Sequence, residues 1–264
     1  MLNNKSKKII LVAFLAYLPI STMAWGLLGH RVVGEIAESY LKRRTSREIK
    51  EILGNETLAM ASNWGDFIKS EPAYKYLDNW HYINLKSGIS PDELKAYLAQ
   101  DTVTDVYTRI QFLSKELRDK SLSQDKKQMY LRLLIHFVGD IHQPMHAAHP
   151  DDLGGGRFQV TWFGQPTNLH RVWDSDMVED QKLSYTEYAR AINFIDNTRL
   201  KQLQGQGLSE WVTESYVISE KIYANVKPGD KLSYRYTYDY IGIANDQMLK
   251  GGIHLASLLN DIFK

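Results

Sequence analysis

Residues 133–149, LLIHFVGDIHQPMHAAH, constrain this chain more than any other stretch. His136 and Asp140 stand four residues apart in an apolar run, so a helix stacks them one turn above the other on a single face. Pro144 lacks a backbone donor and disfavours helix at Gln143, which ends the helix there and presents His146 from the turn that follows. Two imidazoles and a carboxylate therefore converge. A lone histidine on an apolar helix is usually an ordinary core residue, and the cluster is what changes that expectation. His142 points away from the His136 and Asp140 face, and it and His149 read as ordinary residues.

The 264 residues include no cysteine, which excludes disulfides and thiolate ligands and leaves His, Asp, Glu and main-chain groups to hold any metal. With 32 basic and 31 acidic residues there is no polycationic surface. A nucleic-acid partner would have to be held by something other than lysines, and bound metal does this. At the start, Lys5, Lys7 and Lys8 precede an apolar run over 9–18, and Thr22-Met23-Ala24 places small residues where a signal peptidase reads. Residues 1–24 read as a secretory signal cleaved between Ala24 and Trp25. The apolar run is shorter than the roughly 20 residues a spanning helix needs. Losing three lysines takes the net charge from +1 to −2, and a secreted or periplasmic protein is expected.

Apolar spacing predicts helices over 32–41, 45–53, 59–70, 91–100, 103–119, 124–143, 184–197, 208–226 and 234–262. Ser90-Pro91-Asp92-Glu93 is a helix start with its cap, its proline and its glutamate in place. Residues 80–85 alternate and read as a short extended piece, and 155–168 as a small hairpin or loop. The stretch DDLGGG over 151–156 reads as a surface turn, since three glycines without a following Walker lysine are weak evidence for a phosphate cradle. No repeat or linker interrupts the chain. The expected fold is all-α, mainly helical, with residues 25–264 forming a single multi-helix domain.

His170 and Asp174 repeat the four-residue spacing. With His30, Asp66, His81, His136, Asp140 and His146 they supply five histidines and three aspartates from six stretches, more than one structural zinc uses. Imidazole and oxygen donors without sulfur suit zinc ahead of manganese or iron.

These residues also carry a resemblance. Trp25 with His30, Trp64-Gly65-Asp66-Phe67-Ile68-Lys69, Trp80-His81-Tyr82-Ile83-Asn84, His136-Phe137-Val138-Gly139-Asp140 with Gln143-Pro144-Met145-His146, and Asn168-Leu169-His170 with Val172-Trp173-Asp174 follow one another as in the single-strand-specific zinc nucleases of the S-one/P-one type. The chain resembles that family from Trp25 to Asp174, and beyond it in helical character only. The resemblance implies a mostly helical fold related to zinc-dependent phospholipase C, with three zinc ions in a cleft. It implies that Asp66, His81, His136 and Asp140 hold one zinc and that His146, His170 and Asp174 hold a second. His30, a bridging Asp140, and the amino nitrogen and carbonyl of Trp25 would hold the third. Only cleavage after Ala24 creates that amine, whose ordinary pKa of about 7.7 to 8.0 makes proton and metal compete for it.

The implied activity is hydrolysis of single-stranded DNA and RNA to 5′-phosphate products, with 3′-nucleotidase activity as a further expectation. Water shared by two zinc ions ionises near or below about pH 7, so the Asp140-bridged pair is the expected source of hydroxide, with Asp66 and Asp140 in the catalytic set. Lys69 is the expected cation facing the transition-state charge. Tyr82 stands where the family has an aromatic that stacks on an unpaired base. Asn84 replaces a frequent Asp, and Arg157 a common Asn, so these two substrate-binding positions depart from the pattern. Two other readings share the metal logic: a phospholipase C-like phosphodiesterase, and a non-catalytic extracytoplasmic zinc-binding protein.

Overall fold

Caps and apolar spacing define most of the helices. In the computed structural model, which describes residues 25–264, helix α1 (Leu27–Ser39) buries Val32, Val33, Ile36 and Ala37 along one face. Helices α2 (Arg43–Leu53), α3 (Leu58–Ala61) and α4 (Trp64–Phe67) follow. The single helix expected over 59–70 is thus divided and finishes as a 3-10 turn, Ile68–Ser70. One cause is visible: the Ser62 carbonyl accepts a hydrogen bond from His136 Nδ1–H at 2.6 Å and is drawn out of the helical ladder. The extended segment expected over 80–85 is shorter than its alternation suggests. A 3-10 helix, Pro72–Trp80, runs into it, and only β1 (Ile83–Asn84) is extended.

Helix α5 (Pro91–Leu98) begins with the expected Ser90 and Glu93 capping box. Helix α6 (Val106–Glu116) opens later than expected, where Asp105 accepts from Thr108 N–H. Helix α7 (Gln124–Ile141) stops before Pro144, and one 3-10 turn, Pro144–His146, leads into β2 (Ala147–Ala148), which pairs parallel with β1. Strands β3 (Gln159–Trp162) and β4 (Gln165–Asn168) form the expected hairpin. Next come α8 (Leu169–Arg171), a π-helical turn at Val172–Asp176, α9 (Met177–Glu179) and α10 (Tyr185–Ile192). Helix α11 (Asn197–Gln204) was not expected; Asp196 caps it by accepting from Thr198 and Arg199 N–H, both at 2.9 Å. Helices α12 (Leu208–Asn225) and α13 (Tyr234–Ile262) are close to expectation, and between them β5 (Lys231–Leu232) adds to β3 in parallel. The fold is mainly helical. None of its described helices is long and apolar enough to cross a membrane, and the proposed signal segment lies outside the described residues.

Helix α7 is the centre of the molecule. Every residue from 133 to 141 is buried, and a helix without a solvent face needs cover on all sides. Helices α1, α4, α6 and α13 provide much of it. Its last carbonyl, that of Ile141, accepts from Ser215 Oγ of α12 at 2.6 Å, and the same helix holds β2 through Ser219 Oγ, which donates to the Ala147 carbonyl at 3.0 Å.

On the side of α7 away from Asp140, His142 Nδ1–H donates to the Val138 carbonyl at 2.7 Å, and His142 Nε2 lies 2.7 Å from His254 Nδ1. The His254 ring stacks on Trp211 with centroids 4.6 Å apart. Burial pushes His142 down to about 4; burial and then His142 itself push His254 down to about 2. His254 thus stays neutral in the folded protein at pH values above about 2, while the unfolded chain protonates it below its ordinary 6.5. Its contribution to stability is complete above pH 6.5 and declines as pH falls, by up to about 1.4 kcal/mol per pH unit. Replacing it by His254→Gln is expected to make the acid-side loss of stability shallower by about one proton. Urea unfolding at stepped pH measures this, and a slope equal to that of the parent chain would contradict the assignment.

Candidate metal centre

Six separate stretches deliver the eight sequence-selected His and Asp side chains to one buried place. His30 comes from α1, Asp66 from α4, His81 from the end of the long 3-10 helix, and His136 and Asp140 from α7. His146 comes from the turn after Pro144, His170 from α8 and Asp174 from the π-helical turn. Asp140 is the hub. Its Oδ1 lies 3.3 Å from His30 Nε2 and 3.9 Å from His146 Nδ1, and its Oδ2 lies 2.9 Å from His81 Nδ1 and 3.3 Å from His136 Nε2. Asp66 Oδ1 is 3.8 Å from His136 Nε2. His170 Nε2 is 2.9 Å and His146 Nε2 3.7 Å from the Asp174 carboxylate.

Main-chain packing permits this density. A Cβ on Gly65 would lie 2.7 Å from the His136 ring, and one on Gly139 would lie 2.6 Å from His30 Nδ1. Main-chain carbonyls then fix the rings. His136 Nδ1–H donates to Ser62, His146 Nδ1–H to His81 at 2.7 Å, and His170 Nδ1–H to Gly154 at 2.7 Å. Each bond places the hydrogen on Nδ1 and leaves the Nε2 lone pair facing inward, the usual arrangement of a metal-binding histidine.

Charge favours the same use. Burial by itself would raise the Asp66 and Asp140 carboxyls, but the surrounding imidazoles, with Lys69 at Asp66, outweigh it. Asp66 is held down at about 2, and Asp140 well below the usual carboxylate range. Burial lowers His30, and with Lys69 it lowers His81 to about 4. At His136 and His170 burial is overcome by the adjacent carboxylates, and both are raised.

The atoms without partners test whether a metal fits. His30 Nδ1 and Nε2, Asp66 Oδ2, His81 Nε2, Asp140 Oδ1, His146 Nε2 and His170 Nε2 are all buried without a hydrogen-bond partner. Each such group costs about 1–3 kcal/mol if nothing satisfies it. These residues, with His136 and Asp174, form three sets whose ligand atoms lie within 4.8 Å of one another: His30, Asp66 and His136; His81, His136 and Asp140; and His146, His170 and Asp174. Nitrogen and oxygen donors gathered in this way fit zinc.

The centre opens on a cleft of about 570 Å³ whose lining includes His81, His146, His170, Lys69, Tyr82 and Asn84. Lys69 Nζ lies 2.7 Å from Asp66 Oδ1. Tyr82 is half-buried in the cleft wall, its hydroxyl donating to Asn79 Oδ1 at 3.0 Å. Arg157 is exposed and is not brought to the cleft lining. Trp25 is buried, and the next N–H, that of Gly26, donates to the Asp174 carbonyl at 2.6 Å, which ties the beginning of the described chain to the π-helical turn.

Two positions matter here that the sequence reading did not select as site residues. Gln143 Nε2 donates to Asp174 Oδ1, and Gln143 Oε1 accepts from Met145 N–H at 2.6 Å, so one side chain shapes the turn and orients a carboxylate. The glycines of 154–156 are buried rather than on the surface. Gly154 has φ +60°, and a Cβ there would collide with the Met145 carbonyl. The glycine run and His170 were each visible in the sequence; that they meet across sixteen residues was not.

A sequence profile of the S1/P1 Nuclease family matches residues 25–264. Endonuclease 3 of Arabidopsis thaliana is 29% identical over 280 residues, covering 97% of this chain and 94% of that protein. Nuclease P1 of Penicillium citrinum is 27% identical over 266 residues, covering 90% and 97%. Nuclease S1 of Aspergillus oryzae is 30% identical over 175 residues, covering 62% and 58%.

A Cβ at position 154 would meet the Met145 carbonyl and strain the positive φ, displacing the carbonyl that accepts from His170, so Gly154→Ala is expected to weaken metal retention about 10- to 100-fold, the usual effect of disturbing the hydrogen-bond partner of a metal-binding histidine. Zinc content after dialysis against graded chelator measures it. Retention equal to that of the parent would show that His170 is held by other means.

Proposed function

The chain belongs to the S1/P1 nuclease family, and on that premise we propose that this zinc-dependent phosphodiester hydrolase cleaves single-stranded DNA and RNA at a three-zinc centre, leaving 5′-phosphate products and also acting as a 3′-nucleotidase. The observation that carries the reading is the set of unpartnered imidazole and carboxylate atoms at the floor of a cleft that also presents a lysine and an aromatic ring. Asp66, His81, His136 and Asp140 would hold one zinc, and His146, His170 and Asp174 another. His30 and Asp140, with the amine and carbonyl of Trp25, would hold the third. When bound, zinc lowers the pKa of water toward about 7 and offsets phosphate charge.

The chain's own groups do the rest. Asp140, kept ionised at the hub, would be the carboxylate that two zinc ions share. Lys69 lies at the cleft edge of Asp66, where it can meet a non-bridging phosphate oxygen and steady the charge that grows there. Tyr82 offers its ring to an unpaired base, and this disfavours a duplex whose bases are already stacked. Asn84 carries both a donor and an acceptor, where a carboxylate would only accept, so it is suited to base edges of either kind. In this reading the enzyme is extracytoplasmic: removal of 1–24 frees the Trp25 amine.

Metal analysis of processed, untagged protein, with cleavage assays on single-stranded and duplex DNA, tests the proposal. Three zinc equivalents and chelator-sensitive cleavage that favours the single strand are expected; full zinc without cleavage would reject it. Asp140→Asn is expected to lose two equivalents together with activity. Loss of one equivalent with activity retained would remove the shared carboxylate.

A further inference from the structure

The 3-10 helix Pro72–Trp80 carries more toward the cleft than the metal centre uses. Within that helix Tyr76 and Asn79 stand one turn apart, and Asn79 Oδ1 accepts a hydrogen bond from the hydroxyl of Tyr82, two residues beyond the helix end. Asn79 and Tyr82 line the cleft, as does Lys75 beside Tyr76. Tyr76, one turn before Asn79 and next to the lining residue Lys75, has 55% of its surface exposed.

Its ring is nevertheless held in place. Trp80 meets it edge to face with centroids 5.6 Å apart, and Tyr74 stacks on it at 6.4 Å. Trp80 is itself fixed: the Arg109 guanidinium lies 5.3 Å from its ring centre and 5.0 Å from that of Phe112. A supported aromatic face turned to water is what a base-stacking platform requires. At about 2 Å rise per residue, the helix covers about 8 Å from Tyr76 to its end at Trp80, and Tyr82 lies two residues further on, so one base cannot cover both rings. Lys69 and Lys75 also line the cleft, each in an ion pair, with Asp66 and with Asp78, and either can exchange part of that pairing for a phosphate of a strand running between the rings.

We propose that Tyr76 is an outer base-stacking subsite, which takes an unpaired base of the single-stranded substrate beyond the one on Tyr82; this rests on the reading of the cleft as a single-strand nuclease site. Longer strands occupy both rings and short ones only the inner ring. The substrate class is therefore an oligonucleotide of several residues.

The zinc-loaded enzyme is assayed for KM on a thymidine dinucleotide and on a thymidine hexanucleotide, and the ratio of the two values is the readout. Tyr76→Ala is expected to reduce the preference for the hexanucleotide about tenfold, the scale of one base stacked on one ring. Tyr76→Leu, which keeps apolar contact with Trp80 but has no aromatic face, is expected to do the same, and Tyr76→Trp to preserve the preference. Zinc content equal to the parent's shows that the centre is intact in each variant. An unchanged ratio in the alanine and leucine variants, with cleavage intact, refutes the subsite alone. A parent enzyme that cleaves neither oligonucleotide refutes the single-strand reading, and the subsite with it.

Discussion

Asp140 is an ionised carboxylate with no exposed surface, and the arrangement of the protein follows from what such a group requires. A buried charge is tolerated only when opposite charge and hydrogen bonds surround it. Four imidazoles stand within 4 Å of it, contributed by α1, by the turn after the long 3-10 helix, by α7 itself and by the turn beyond Pro144. Each of these elements is positioned in part by that one side chain. Inward nitrogens of His30, His81 and His146 lack hydrogen-bond partners, which leaves the centre incomplete and suited to zinc. Metal binding and the stability of this centre are therefore coupled.

Such density depends on backbone as much as on side chains. Gly65 and Gly139 let rings lie directly on the main chain, and the Ser62, His81 and Gly154 carbonyls each orient one imidazole. The ligands are thus fixed from behind by groups that carry no side-chain chemistry. Toward solvent the arrangement differs: the cleft wall carries Lys69 and Tyr82, groups suited to phosphate and base. Rigid ligands at the floor and adaptable recognition at the wall are consistent with a hydrolase that must hold a chain without demanding one sequence.

Much of the centre was legible in the linear pattern because helical spacing is a local property. His136 with Asp140, and His170 with Asp174, are four residues apart, and both pairs meet in space. Pro144 ends α7 for a reason present in its own ring. The serine cap at α5 and the hairpin at β3 and β4 follow equally local rules. Other elements escaped such reading. The helix expected over 59–70 is divided where His136, more than seventy residues away, takes the Ser62 carbonyl. Strand β5 joins β3 through a pairing that no nearby residue announces. The buried glycines resemble a surface turn until His170 is set beside them.

The sequence by itself excluded thiolate ligands and picked out two imidazole–carboxylate pairs by their helical spacing, its resemblance to a family implied the rest of the ligand set, and capping and apolar periodicity determined a mainly helical chain. Only the tertiary structure decided that four imidazoles gather around Asp140, that Gln143 donates to Asp174 and the Gly154 carbonyl accepts from His170, and that the 3-10 helix carrying Tyr76 runs into the cleft wall at Tyr82. Spacing along a helix fixes neighbours one turn apart. Contact between distant segments depends on how close two backbones can come, and that is settled by packing in three dimensions.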